Sequence, residues 1–278
     1  MGGAGCVCAA NRMNGTGEQK MNPYLENLNR VEFVITSACT GRCKHCSQGD
    51  HPVSGAHIDG SVAAAALRSI ARQHRLHSVM TFGGEPLLCP DAVCAIHAAA
   101  REVGAQKRQL ISNGFFSRDE GKIRAVAQAL AESGVNDILV SVDAFHQETI
   151  PLEPVKRFCE AVRETGAARL RVQPAWLTGE HADNLYNRRT REILAEFEAM
   201  GIAVNDGNVI FPAGNALKYL REYFDLSVPH VSPYWENPRD VRAICVSPDG
   251  GVLGGNIYDR DALEILEAYA PEMRGNAF

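Results

Sequence analysis

The sequence predicts an α/β fold: a partial (β/α)6 barrel of parallel strands, followed by a short C-terminal extension made of a β-hairpin and a helix. Short runs of apolar and β-branched residues, typical of buried strands, alternate with longer amphipathic stretches that carry helix-capping residues. Such repeated β–α units imply a parallel sheet with right-handed crossovers. About six units fit before Phe211, whereas a closed eight-unit barrel takes about 250 residues, so we expect an open barrel.

The ends of the elements follow from turn and capping residues. Strands are expected at 31–36, 77–82, 107–112, 137–142, 169–172 and 202–204. Asp59 and Asp119 can cap helices, Pro90 suits a first helical position, and Gly134 and Gly166 suit a C-terminal stop. These signals predict helices at 59–74, 90–103, 119–134, from 151 or 154 to 166, and at 190–200.

The composition argues against a nucleic-acid-binding or membrane protein. A net charge of −5 gives no basic footprint, and no apolar stretch approaches the roughly 18 residues of a membrane helix. The chain shows no secretory signal, and its irregularly spaced cysteines suit a reducing cytoplasm, which is the expected location. We expect a disordered leader at 1–22, the barrel at 23–212 and an extension at 213–278.

One loop holds three cysteines directly after the first predicted strand. Cys39, Cys43 and Cys46 follow a C-x3-C-x2-C spacing, so three thiolates can wrap one face of a metal cluster. A [4Fe–4S] cluster takes four ligands, and one iron would then stay open to an outside molecule. This spacing therefore favours chemistry at an iron atom with a free coordination site.

Other uses of the same loop stay open at this point. His45 or His51 could complete a zinc site, or the cysteines could be redox-active thiols. Zinc sites usually combine two Cys pairs, or a Cys pair with a His pair, and the sequence has no such second pair. The alternative to an enzyme is a non-catalytic protein that binds zinc, or one that relays electrons through an iron–sulfur cluster.

A second motif makes the pattern more specific. Gly83-Gly84-Glu85-Pro86 follows the second predicted strand, as the cysteine loop follows the first. With both motifs, the stretch from about Val31 to about Phe211 resembles the radical S-adenosylmethionine (SAM) superfamily. The resemblance implies a [4Fe–4S] cluster and SAM as cofactors, and a low-potential electron donor of the flavodoxin or ferredoxin type. It also implies reductive cleavage of SAM to a 5′-deoxyadenosyl radical, which abstracts hydrogen from a substrate.

The resemblance further implies roles for polar residues at the carboxyl ends of the strands, the edge that carries active sites in barrels. His45 is expected near the adenine, the Gly83–Pro86 turn at the methionine moiety, and Ser141 at the ribose. The expected cofactor-binding residues are His45, Gly83, Gly84, Glu85, Pro86, Ser112, Asn113, Ser141, Asp143 and Gln173, and the expected metal ligands are Cys39, Cys43 and Cys46. Asp143 could instead orient a substrate amine, and His146 is a candidate substrate contact.

The C-terminal extension begins with a predicted hairpin, in which residues 241–246 pair with 252–253 around a turn at 247–251. The hairpin is similar to a degenerate SPASM/twitch-type extension, which carries an auxiliary cluster in many peptide-modifying members of the superfamily. Only Cys245 stands at a ligand position, so we expect a cover over the barrel without an auxiliary cluster. The substrate is expected to be a peptide or peptide-derived molecule, with a small molecule as the alternative.

Overall fold

A seven-stranded sheet, parallel throughout, forms the centre of the protein in a computed structural model that describes residues 21–230 and 235–271. The strand order is β7-β5-β4-β3-β2-β1-β9, and every neighbouring pair is parallel. Consecutive strands from β1 to β5 are neighbours, as right-handed β–α crossovers require. The α/β class and the partial-barrel arrangement are confirmed.

The elements of the described residues are as follows. The strands are β1 Arg30–Val34, β2 Ser78–Phe82, β3 Lys107–Ser112, β4 Asp137–Ser141, β5 Arg169–Gln173, β6 Ala175–Trp176, β7 Ala203–Val204, β8 Asn208–Val209, β9 Ala243–Val246, β10 Gly251–Val252 and β11 Gly255–Asn256. The helices are α1 Gly60–Ile70, α2 Pro90–Glu102, α3 Glu120–Ser133, α4 Ala144–Gln147, α5 Leu152–Thr165, α6 Leu185–Ala199, α7 Asn215–Tyr219 and α8 Ala262–Glu267. Short 3₁₀ turns cover Pro23–Leu25, Pro86–Leu88 and Arg221–Tyr223.

Helix ends lie where the capping residues predict them. The Asp59 carboxylate accepts hydrogen bonds from two backbone N–H groups at the start of α1, and that of Asp119 accepts one at the start of α3. Gly134 and Gly166 end α3 and α5 in the left-handed region, at φ 92° and 62°. The α6 helix begins at Leu185 rather than at 190, because Asn184 caps it by accepting a hydrogen bond from the Asn187 N–H.

Alternation along the strands builds the core. Val31 of β1 lies in register with Val79 of β2 and Ile244 of β9, and all three are buried on the helix-covered face. Their neighbours Glu32 and Cys245 stand on the opposite face, which lines the inside of the open barrel. Burying each large apolar side chain of this kind contributes about 1.5–3 kcal/mol, so the outer face fixes the register.

The extension contains a short hairpin and a helix, but the predicted choice of hairpin strands is wrong. The turn at Ser247–Gly251 forms, with the Gly250 N–H donating to the Ser247 carbonyl, but β9 pairs in parallel with β1 instead of forming a ladder with 252–253. Residues 251–252 pair with β11 across the left-handed residues Leu253 and Gly254. The β1 edge offers a full row of backbone partners and an apolar neighbour for Ile244, which a two-residue strand does not.

The extension and the N-terminal end of the described chain are also joined. Asn22 is buried, and its side-chain amide donates hydrogen bonds to the carbonyls of Leu266 and Tyr269 at the end of α8. The expected leader at 1–22 otherwise falls outside the described residues. No helix in the described ranges combines the length and apolar character needed to cross a bilayer.

Candidate functional site

The cysteine loop lies between β1 and α1 at the carboxyl edge of the sheet. Cys39 and Cys43 are buried and Cys46 is half-buried, and all three are free thiols. Burial raises the pKa of Cys43, and the Asp143 carboxylate raises it further. The loop thus presents three sulfur atoms within eight residues, two of them shielded from solvent.

Hydrogen bonds already surround two of these sulfur atoms. The Gly41 N–H donates to Cys39 Sγ at 3.3 Å, and Asn113 Nδ2 donates to the same atom at 3.5 Å. His51 Nε2 lies 3.1 Å from Cys46 Sγ, while its Nδ1 lies 2.8 Å from the Ser37 carbonyl, which can only accept. Burial acts to raise the pKa of Cys46, but the contact with His51 and other hydrogen bonds lower it overall.

The Gly83-Gly84 turn packs directly against the start of the cysteine loop. The Gly84 N–H donates to the Thr36 carbonyl and the Glu85 N–H to the Ala38 carbonyl, both at 2.8 Å. A Cβ on Gly84 would lie 2.1 Å from the Ala38 oxygen, and one on Gly83 would lie 2.7 Å from the Thr36 oxygen. A side chain at either position would therefore clash with the chain's own backbone, so both positions require glycine.

The Glu85 carboxylate links the Gly-Gly turn to the end of β3. It is fully buried and accepts hydrogen bonds from the Leu87 N–H at 2.9 Å and from Ser112 Oγ and the Asn113 N–H at 2.8 Å each. Burial raises the pKa of Glu85 to about 7, although these three hydrogen bonds act to lower it. With its oxygens occupied by protein donors, Glu85 acts on the site through Asn113.

Asn113 carries this link to the cysteine loop. Its Oδ1 accepts from the Phe115 N–H at 2.8 Å, which fixes the amide, and its Nδ2 donates to Thr40 Oγ1 at 3.1 Å as well as to Cys39 Sγ. Pro86 follows Glu85 and opens the 3₁₀ turn beneath it. The structure thus brings together the loop, the Gly-Gly turn and the end of β3, three regions that the sequence predicts as one site.

A second group of side chains faces the loop from β4 and α4. Asp143 is fully buried and accepts from the backbone N–H groups of Phe145, His146 and Ala175 and from His146 Nδ1, the last at 2.7 Å. Burial alone would raise its pKa, but the contacts with His146 outweigh burial and lower it to about 2. Asp143 therefore has no free oxygen for a substrate amine and instead orients the His146 ring.

His146 and His45 meet beside Cys43. Their ring centres are 4.7 Å apart, and one potential ligand atom from each of the three residues lies within 4.8 Å of the other two. Burial lowers the pKa of His45 to about 4, and its Nδ1 is buried without a hydrogen-bond partner among the described residues. Its ring also contacts Phe145, with centres 5.1 Å apart. An unpartnered nitrogen at this position suits a bound ligand.

Ser141 and Gln173 are half-buried register partners at the ends of β4 and β5. Gln173 Oε1 accepts from Asn205 Nδ2 at 2.7 Å, so its amide is turned toward the segment after β7. Both stand on the inside of the barrel at the edge that carries the cysteine loop.

Sequence reasoning missed Asn215, whose backbone and side chain contact the cysteine loop from about 170 positions away, because no local pattern marks such a contact.

The donor set fits an iron–sulfur cluster. Three cysteines lie in one loop, and two of them are buried, while imidazoles lie beside Cys43 and Cys46. A cluster held by three cysteines needs several sulfur donors in one place and leaves one iron for an outside ligand. The residues present therefore fit a [4Fe–4S] cluster with an open position.

Comparisons with curated proteins give distant relatives. A GTP 3′,8-cyclase of Moorella thermoacetica is 25% identical over 131 residues, which is 45% of this chain and 38% of that protein. One of Aeromonas hydrophila is 26% identical over 184 residues, which is 59% of this chain and 51% of that protein. The chain thus spans about half the length of these relatives or less.

Solved structures share the fold at low sequence identity. SuiB of Streptococcus suis, bound to its precursor peptide SuiA, superposes with a TM-score of 0.53 at 13% identity, over 88% of this chain and 65% of that one. The protein anSMEcpe with bound AdoMet gives a TM-score of 0.54 at 15% identity, over 86% and 80%.

The family model of the radical SAM superfamily matches residues 33–173, about half of the 278 residues. The match spans β1 to β5, and therefore includes the cysteine loop, the Gly-Gly turn and the ends of β3 and β4. The chain belongs to the radical SAM superfamily, whose members use a [4Fe–4S] cluster and SAM as cofactors.

Proposed function

We propose that Cys39, Cys43 and Cys46 ligate the cluster and that the enzyme uses SAM to abstract hydrogen from a peptide or peptide-derived substrate. One observation carries the ligand assignment: three thiols, two of them buried, lie in a loop that two other strand ends hold in place. The chemistry that the two cofactors supply when bound is one-electron reductive cleavage of SAM, which yields a 5′-deoxyadenosyl radical.

The protein's part is to hold and shield the reacting groups. Hydrogen bonds from Gly41 and Asn113 fix the Cys39 sulfur, and burial of Cys39 and Cys43 keeps water from that side. Donors aimed at sulfur stabilise a thiolate and tune the cluster that it binds. Glu85 holds Asn113 in this position by accepting its N–H.

We assign SAM to the space beside His45 and the strand ends. The unpartnered His45 Nδ1 is available to the adenine, and Ser141 and Gln173 are placed to reach the ribose or methionine end. His146, oriented by Asp143, is the proposed contact to the sulfonium side or to the substrate. These roles follow from position along one edge of the sheet.

An apolar groove favours a peptide over a nucleotide. It has a volume of about 360 Å³. One of its lining residues, Pro212, precedes Asn215 by three positions in the sequence, and Asn215 contacts the cysteine loop. Its lining, as far as the structure describes the chain, has no Lys or Arg and consists of Thr178, Val209, Ile210, Phe211, Pro212, Tyr223, Phe224, Asp225 and His230. Aromatic rings suit an apolar side chain, whereas the Asp225 carboxylate would repel a triphosphate.

The distant relatives keep a small-molecule substrate as the second candidate. They are GTP 3′,8-cyclases, and they are similar to this chain in sequence. The SuiB structure with a precursor peptide supports the first candidate only at the level of the fold. We also propose a flavodoxin or ferredoxin as electron donor, and a cytoplasmic location stays a prediction of the sequence.

The substrate experiment compares the two candidates directly. The anaerobically reconstituted enzyme is given reductant, SAM and either GTP or a library of short peptides with apolar side chains, and 5′-deoxyadenosine is counted against the no-substrate rate. We expect peptides to stimulate its formation, and Phe224→Asp to remove that stimulation while leaving the no-substrate rate. Stimulation by GTP and none by any peptide would overturn the peptide assignment.

A further inference from the structure

The chain beyond the family match returns to the cysteine loop at the start of α7. The Asn215 N–H donates to the Cys46 carbonyl at 2.9 Å, and its side-chain Nδ2 donates to the Cys43 carbonyl at 3.3 Å. Asn215 is only 5% exposed. One residue therefore holds the backbone of two of the three proposed cluster ligands.

The preceding residue shows how tightly the two segments are packed. Gly214 has φ +51°, and a Cβ there would lie 2.5 Å from the Ser47 oxygen and 2.6 Å from the Cys46 oxygen. Only glycine combines this conformation with this approach. The position is thus built for close contact between the start of α7 and the cysteine loop.

The two carbonyls are turning points of the loop. The Cys43 carbonyl also accepts from the Cys46 N–H, and the Cys46 carbonyl also accepts from the Gly49 N–H, both at 3.2 Å. These loop bonds set the turns between the ligands, and the Asn215 donors fix the same peptide planes from outside. Because each sulfur is two bonds from its own Cα, a fixed peptide plane restricts where the sulfur can stand.

We propose that Asn215 is a positioning residue for the cluster, which holds the backbone of Cys43 and Cys46 so that their sulfur atoms converge. This inference rests on the ligand assignment proposed above. The same segment continues into the apolar groove through Phe211 and Pro212 on one side and Tyr223 on the other. The cluster loop and the proposed substrate groove therefore share one structural support.

The test uses variants of the full chain that remove the Nδ2 donor without emptying the site. Asn215→Asp and Asn215→Leu both keep the approximate side-chain size and the backbone N–H. Asn215→Asp adds a negative charge and Asn215→Leu does not, so an effect common to both comes from the lost Nδ2 donor. Lys218 lies on the same helix as Asn215 and forms an exposed ion pair of 3.2 Å with Asp50, in the segment after Cys46. Lys218→Ala removes this pair and is the local control. Ile193→Ala removes a fully buried side chain of α6 and is the control for lost stability.

Two measurements distinguish a specific effect of Asn215 on the cysteine loop from a general loss of stability. In the cluster-free chain, alkylation of Cys43 and Cys46 followed by mass spectrometry should be on the order of fivefold faster in both Asn215 variants, the factor for one net hydrogen bond. In the loaded enzyme, the electron paramagnetic resonance spectrum of the reduced cluster should change in the same variants. Lys218→Ala and Ile193→Ala should match the unchanged protein in both.

The opposite results are equally clear. Wild-type alkylation rates and spectra in both Asn215 variants would overturn the proposal, as would equal changes in Ile193→Ala. Failure of the unchanged chain to hold about four iron atoms would instead remove the ligand assignment. The alkylation rates of the cluster-free chain would then still decide whether Asn215 holds the loop.

Discussion

Replacing Gly84 by alanine tests the contact between the Gly-Gly turn and the cysteine loop. The new Cβ would lie 2.1 Å from the Ala38 oxygen and 2.6 Å from its carbonyl carbon, so the two backbones must separate by about an ångström to reach normal contact. Separation weakens two hydrogen bonds of 2.8 Å, those donated by the N–H groups of Gly84 and Glu85. Buried groups that lose a partner cost about 1–3 kcal/mol each, and overpacking costs about 1–3 kcal/mol more.

Gly84→Ala should therefore lower the free energy of unfolding by about 3–9 kcal/mol, a large part of the stability of a typical domain. Urea unfolding of the cluster-free protein measures this loss. Gly55→Ala is the matched control, because a Cβ there would meet only Pro52 at an ordinary 3.7 Å and should change stability little. Equal stability of Gly84→Ala and Gly55→Ala would refute the conclusion that a side chain at position 84 clashes with the cysteine loop.

Three further predictions concern single side chains. Cys245→Ser should leave the iron content unchanged, since no other described cysteine follows it; loss of about half the iron would make it a ligand. Burial lowers the pKa of His97 from 6.5 to about 3, so between these pH values the unfolded state binds more protons than the folded state. As the pH falls through this window, the free energy of unfolding should therefore decrease, by up to about 1.4 kcal/mol per pH unit more in the unchanged protein than in His97→Leu. Equal slopes in the two proteins would contradict this. Glu85→Gln should lower the free energy of unfolding in urea by about 1–3 kcal/mol, because the new NH₂ group would face protein donors that now bond a carboxylate oxygen. The same loss in the exposed control Glu153→Gln would refute this prediction.

Local patterns predicted most of the fold and indicated the loop and the turn that form the candidate site. The caps Asp59 and Asp119 and the stops Gly134 and Gly166 lie where the helices begin and end. These signals act over a few residues, so the sequence around them is sufficient. The cysteine spacing and the Gly-Gly turn were informative for the same reason.

Long-range pairings were beyond the reach of such patterns. The strand at Ala243–Val246 was correctly expected to be extended, but whether it pairs with its sequence neighbour or with β1 depends on which edge is free in the assembled sheet. Asn215 likewise looks like an ordinary polar residue until the fold brings it to the loop. For Asp143, the strand-end position was informative, but no local pattern shows that the folded chain buries its carboxylate and surrounds it with four donors.

The central claim is that three cysteines in one loop hold a cluster that cleaves SAM. The most direct test is to give anaerobically purified protein a low-potential reductant and SAM and to measure 5′-deoxyadenosine together with bound iron, sulfide and zinc. We predict about four iron and four sulfide per chain and formation of 5′-deoxyadenosine, both lost in Cys43→Ala and both kept in Cys245→Ser. One zinc per chain with no visible absorption, or 5′-deoxyadenosine from a cluster-free Cys43→Ala protein, would contradict the account.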